Sequence, residues 1–169
     1  MDLFDFDLDT CKRISEEDYL KLVKDGCKPK RNDILFSKDG TMGITFRYLG
    51  HQDVVLLSSI AIIRPKNHSL SLYLYFYLKN KRTQESIFAG YVSGSALPRI
   101  VIKDIKRIQI VIPPDSLITK FAECFDPFSE SIVLNCREIR TMSKIRDLLL
   151  PELMSGKIRV PVPKENVEE

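Results

Sequence analysis

A metal-dependent nuclease clusters carboxylates near a lysine, and the acids of the basic middle of this chain are Asp33, Asp39, Asp53, Glu85 and Asp104. They are widely scattered, so only convergence in space would make them a site. A base-modifying methyltransferase would hold its target with a short acidic or amide residue followed by Pro-Pro-aromatic. Asp126-Pro-Phe128 has one proline, and Pro113-Pro-Asp115 lacks the aromatic. The matching cofactor loop needs closely spaced glycines after a strand, and Phe88-Ala-Gly-Tyr-Val92 misses the second one. His51 and His68 have no Ser or Cys arrangement that reads as a triad, so each reads as a surface or loop residue. Cys11, Cys27, Cys124 and Cys136 form no CxxC pair, which argues against zinc. Cys124 and Cys136 read as small apolar fillers. These residues give no catalytic constellation and call for no metal or cofactor.

What remains is charge. Residues 26–114 hold 14 basic and 5 acidic side chains, a net +9, against −4 for residues 1–25 and −2 for residues 115–169. The middle segment has the balance of a surface that meets phosphate, or more plainly of a solvated basic face. A chain of 169 residues, 44% hydrophobic and 29% charged, holds one ordinary domain with room for an appended helix. Asp2, Asp5, Asp7 and Asp9 interrupt any signal-peptide core. The longest apolar run, Leu70 to Leu78, is far short of the ~20 residues a bilayer requires. A cytoplasmic protein with reduced thiols, making no use of a membrane, is expected.

The elements that would carry this charge are short and mixed. Residues 2–9 alternate apolar and acidic side chains, as an edge strand does. Ser15 should cap a short helix that has Asp18 at its third position and ends at Gly26. After the turn Lys28 to Asp33, the pattern predicts a strand at Ile34 to Phe36, a turn at Asp39-Gly40 and a returning strand at Ile44 to Tyr48. Val54 to Ile63 reads as a buried strand. Leu70 to Leu78 alternates in a way that leaves strand and helix both open. Thr83 to Phe88 reads as a helix, Gly90 to Pro98 as a loop, and Ile108 to Ile112 as a strand stopped by Pro113-Pro114. Without a regular βαβ rhythm the fold class is α+β, a small mixed sheet with short helices followed by a long C-terminal helix.

Beyond Pro114, Phe121, Phe125, Phe128, Ile132, Asn135, Ile139, Met142, Arg146 and Leu149 recur at alternating intervals of four and three, the seam of a coiled coil. Pro127 should restart this helix with Asp126 as its cap. The segment from Phe128 to Leu150 would run about 34 Å, too long to bury its stripe on a small domain, so a second helix is needed. Asn135 fixes register across two helices or else faces water. Arg146 should snorkel outward.

Ile14-Ser-Glu-Glu-Asp-Tyr19, Asn32-Asp-Ile-Leu-Phe-Ser37 with Gly40-Thr-Met-Gly43, Ser59-Ile-Ala-Ile-Ile-Arg-Pro65, Gly94-Ser-Ala-Leu-Pro98 and Pro113-Pro114 occur in that order. A helix ending Leu148-Leu-Leu-Pro-Glu-Leu-Met-Ser-Gly156 follows. Each motif alone is weak, but order and spacing together resemble the specificity subunits of type I restriction-modification systems, from Leu8 to Val160. The resemblance favours helix at Leu70 to Leu78. It implies a target recognition domain over residues 1–114, begun shortly before the Ser15 helix and so without its first part. A helical spacer over 115–160 and a flexible tail over 161–169 would follow, together half of a full-length subunit.

Such a subunit is not an enzyme; it reads double-stranded DNA for modification (methyltransferase) subunits and, through them, a restriction subunit. Phosphate contacts supply affinity and loop side chains inspect base edges. The candidates are Lys38 and Thr41 in one glycine-bearing loop, Ser93, Ser95 and Arg99 in another, and Lys79, Lys81 and Arg82 as phosphate clamps. Each loop is otherwise an ordinary tight turn. The helix would dock partner subunits or a second copy through Phe128, Ile132, Asn135, Ile139, Met142 and Leu149. The rival expectation is a dimerising interaction module or a truncated relic without DNA affinity of its own.

Overall fold

The computed structural model describes residues 11–92 and 98–159. The order of elements is α1 (Glu16–Lys24), β1 (Ile34–Ser37), β2 (Thr45–Arg47), β3 (Ile60–Ile63), α2 (His68–Lys79), α3 (Lys81–Tyr91), α4 (Ile102–Ile105) and α5 (Asp115–Met154). The class is α+β. Chain contacts separate two compact units, residues 1–130 and 131–169.

In the first unit β1 is the central strand of an antiparallel sheet ordered β2-β1-β3. Leu35 faces Phe46 on one side and Ile62 on the other. Side chains on a strand alternate between faces, and β1 buries both. Ile34 and Phe36 pack with Leu74, Tyr75, Leu78, Ile87 and Ile100, while Leu35 packs with Phe46, Tyr48 and Leu56. Asn32, in the turn that leads into this strand, has φ of 72°, a left-handed conformation that Asn tolerates better than most side chains. Beside the sheet an apolar cavity of about 820 Å³ is lined by residues including Leu56, Ile62, Leu78 and Ile105, with Lys38 and Lys106 among its walls.

The helix starts follow their caps. Ser15 Oγ accepts from the Asp18 amide at 3.1 Å, with Glu16, Glu17 and Asp18 in the favourable first turn of α1. α1 is tied down where Tyr19 donates to Asp53 at 2.6 Å and Lys28 Nζ reaches Tyr19 at 2.7 Å and Asp53 at 2.7 Å. Those bonds hold the Asp53 carboxyl below its ordinary range and the Lys28 ammonium above its own. Asn67 caps α2 on the Leu70 amide at 2.8 Å. Ser71, Leu72, Leu74, Tyr75 and Leu78 are its buried positions, spaced as one face of a helix; this closes the choice left open at Leu70 to Leu78. Asn80 ends α2 and caps α3.

Five expectations change. Ile108 to Ile112 is not a strand: no described segment pairs with it, and Val111 and Ile112 are exposed. A strand needs a neighbour to take its amides and carbonyls, whatever its β propensity. Of Val54 to Ile63 only Ile60–Ile63 pairs, because a turn at Ser58-Ser59 precedes it. Gly90 and Tyr91 extend α3 rather than opening a loop. Pro127 does not restart a helix. α5 runs through it, and Asp126 is engaged in side-chain pairing, not capping. Cys124 is exposed rather than a filler. The strand expected at residues 2–9, the rest of the Gly90 to Pro98 loop and the tail lie outside the described residues.

Candidate nucleic-acid interface

The loop between β1 and β2 is a rigid device built on Ser37. Its hydroxyl donates to the Thr41 carbonyl at 2.7 Å and accepts from the Ile44 amide at 2.9 Å, while Gly43 N–H donates to Ser37 O at 2.9 Å. Gly40 and Gly43 take φ of 68° and 82°, the left-handed region where glycine alone is unstrained. Gly40 and Thr41 form an exposed tip.

The same loop meets the segment that begins at Pro98. Asp39 bridges Arg99 in antiparallel fashion, and the Ile100 amide donates to Lys38 O at 2.8 Å. Two stretches some sixty residues apart are thereby joined, which places the expected Lys38, Thr41 and Arg99 in one neighbourhood. Ser93 and Ser95 lie outside the described residues. Lys38 turns largely inward, its ammonium paired with Asp39 at 2.8 Å. Arg99 is exposed.

α3 abuts this loop directly. Gln84 Nε2 donates to Gly43 O at 2.9 Å, and a Cβ added to Gly43 would stand 2.5 Å from the Phe88 ring. Lys81 lies three residues before Gln84 on the same stripe of the helix. Its side chain is 91% exposed and only loosely opposed by Glu85 at 3.9 Å. Arg82 is also exposed. Both cations occupy the first turn of α3, where no acid offsets them against the positive end of the helix dipole. Lys79 differs: it lies against Tyr75, with Nζ 3.1 Å from the hydroxyl and 5.1 Å from the ring centre. Gln84 and Phe88 were not among the sequence candidates, and no local pattern marks a contact made across 41 residues.

A second polar centre also escaped notice. The Arg47 side chain is 3% exposed; Nη1 donates to Asp126 at 3.0 Å and to Ser129 at 3.2 Å, while Nη2 reaches Asn32 and His68 at 3.1 Å. His68 Nε2 is 2.8 Å from Asp126. Because guanidinium only donates, His68 Nδ1 accepts and Nε2–H gives its proton to Asp126 in hydrogen bonding. The cluster fastens α5 at Asp126 and Ser129, a little over three turns in, to the sheet and to α2. The one hint in the sequence was a charged residue inside a strand flanked by Phe46 and Tyr48. His68, expected on the surface or in a loop, is thus the half-buried first residue of α2.

Residues 9–141 match the family described as type I restriction modification DNA specificity domain. The chain belongs to this family. Among curated proteins the chain is similar to the type I restriction enzyme MjaIX specificity subunit of Methanocaldococcus jannaschii. That protein is 32% identical over 117 residues, which are 69% of this chain and 25% of the relative. S.HindORF215P of Haemophilus influenzae, which bears the name of a type I restriction enzyme specificity subunit, is 27% identical over 146 residues, or 81% of this chain and 36% of the relative. The chain thus spans about a quarter to a third of the length of these relatives. The matched region takes in the sheet, α1 to α4 and the larger part of α5.

The helix face expected to meet a partner is open. Phe128 is 66% exposed in the first unit, and in the second Ile139 and Met142 are 65% and 67% exposed. Ile132, Asn135 and Leu149 are exposed as well. Among the described residues no three His, Cys, Asp or Glu side chains are grouped to hold a metal, and no helix is long and apolar enough to cross a membrane.

Proposed function

We propose that the protein is a DNA sequence-recognition subunit without catalytic residues of its own, which directs methyltransferase and restriction subunits of a type I complex to a bipartite target. The family match over residues 9–141 carries this reading. The net +9 of residues 26–114 supports it, since a duplex attracts such a surface irrespective of sequence. Residues 1–114 would face DNA, with Lys38, Thr41 and Arg99 where the loop after β1 meets the segment after Pro98, and with Ser93 and Ser95 as the further candidates. Lys79, Lys81 and Arg82 would meet phosphates nearby. A phosphate beside Lys81 and Arg82 would also offset the repulsion between those cations and the α3 dipole.

Residues 115–160 would form the spacer, with Phe128, Ile132, Asn135, Ile139, Met142 and Leu149 covered by modification subunits or by a second copy. Two copies related by a twofold axis would require a target with inverted halves.

The test is duplex binding by the full chain over a salt series, followed by footprinting of a duplex selected from a random pool in the presence of modification subunits. The expected result is affinity that falls with salt and two protected half-sites. No affinity at low salt would favour the dimerising module instead, and one continuous asymmetric site would contradict the paired arrangement.

A further inference from the structure

We infer that Gln84 and Phe88 on α3 set the sequence preference of this subunit by positioning the loop Ser37–Gly43, without themselves having to touch a base. This inference rests on the DNA-reading function proposed above. Three observations carry it. Gly43 O is an acceptor, so the amide of Gln84 must present its NH2 end, and the 2.9 Å contact fixes that carbonyl from outside the loop. The same carbonyl takes the Thr45 hydroxyl at 3.1 Å, which ties the anchored point to β2. Phe88 closes the remaining side so tightly that a Cβ at Gly43 would displace its ring, and the φ of 82° there already strains any residue with a Cβ.

The loop is thus held at its base by α3 and at Lys38 by the amide of Ile100, leaving Gly40 and Thr41 as the exposed tip. Reading a base edge by hydrogen bonds tolerates errors of only tenths of an ångström, whereas attraction to phosphate acts over a Debye length of ~8–10 Å. An anchor of this kind therefore bears on discrimination between sequences and hardly at all on general affinity. α3 joins the two terms, since Lys81 shares a helix stripe with Gln84.

The experiment compares the full chain with Gln84→Leu, which keeps side-chain bulk and neutrality but has no donor. Duplexes are selected from a random pool by each protein, and affinities for selected and random duplexes are measured at several salt concentrations. The inference expects the ratio of the two affinities to fall roughly tenfold or more, with a changed consensus. Affinity for random duplex and its salt slope should stay within about twofold. Phe88→Leu, which trims the wall behind Gly43, should act in the same direction; it decides the matter should Gln84→Leu fail to fold by urea titration. An unchanged ratio, whether both affinities hold or both drop together, overturns the inference. If the unmodified chain retains no duplex at all, the functional reading fails first and takes this one with it.

Discussion

Arg47 is the buried charge that ties α5 to the sheet, beside the packing of Phe121 and Phe125 on α2. Its guanidinium is buried, its Nε has no hydrogen-bond partner among the described residues, and its charge is balanced by Asp126. Removing one member of such a pair strands the other. Asp126→Ala should lower the free energy of unfolding by about 3 kcal/mol in urea denaturation. Adding Arg47→Met to that variant should restore much of the loss, because an apolar side chain of similar length carries no stranded charge. A double variant no more stable than the single one would show that packing, not charge, holds this point. Gly43 is the second critical position. Gly43→Ala should cost about 1–3 kcal/mol from its backbone angle alone, before the Phe88 ring is displaced. The sequence offered only a faint hint of Arg47, a cation between Phe46 and Tyr48, and none of Gly43, which read as one more turn glycine. Each depends on atoms 41 or more positions away.

At the scale of elements, the clamp on α1 predicts a pH response. The Asp53 carboxyl is depressed below its ordinary value of 3.8 by Lys28 first and Tyr19 second. A group depressed in the folded state adds stability above its unfolded pKa and loses it as pH falls through the folded one. The melting-temperature gap between the protein and Asp53→Asn should therefore be present near neutral pH and close as the pH falls below 3.8. The groups are exposed, so the gap should be small and should shrink with salt. For α5 the expected outcome is loss of self-association in Ile132→Asp or Ile139→Asp by sedimentation; a dimer that survives both changes would place the contact elsewhere. α1, β1, β2 and α3 were legible because their signals are local: the cap at Ser15, the buried run at Ile34, the helix-forming stretch after Asn80. Ile108 to Ile112 was misread because its residues favour a strand while its pairing depends on a neighbour. Pro127 was misread because a proline removes one helix hydrogen bond, a loss offset here by the side chains that hold Asp126.

At the scale of the whole molecule, the uneven distribution of charge predicts how DNA binding should respond to salt. Lys81→Ala and Arg82→Ala should each weaken binding to every duplex alike. Each should also reduce the slope of log affinity against log salt by about one, as expected for a single lost phosphate contact. A change in the preferred sequence without a change in slope would instead make these residues base readers.

Composition, caps and the order of short motifs were sufficient to determine an α+β class, a basic middle segment, a long apolar-striped helix and membership of a specificity-subunit family, since each is written in neighbouring residues or in their succession. Only the tertiary structure decided that Asp39 meets Arg99, that Gln84 and Phe88 hold the loop at Gly43, and that Arg47 and His68 seize Asp126. Those contacts join residues far apart along the chain, and their geometry comes into being only when the sheet and the helices pack.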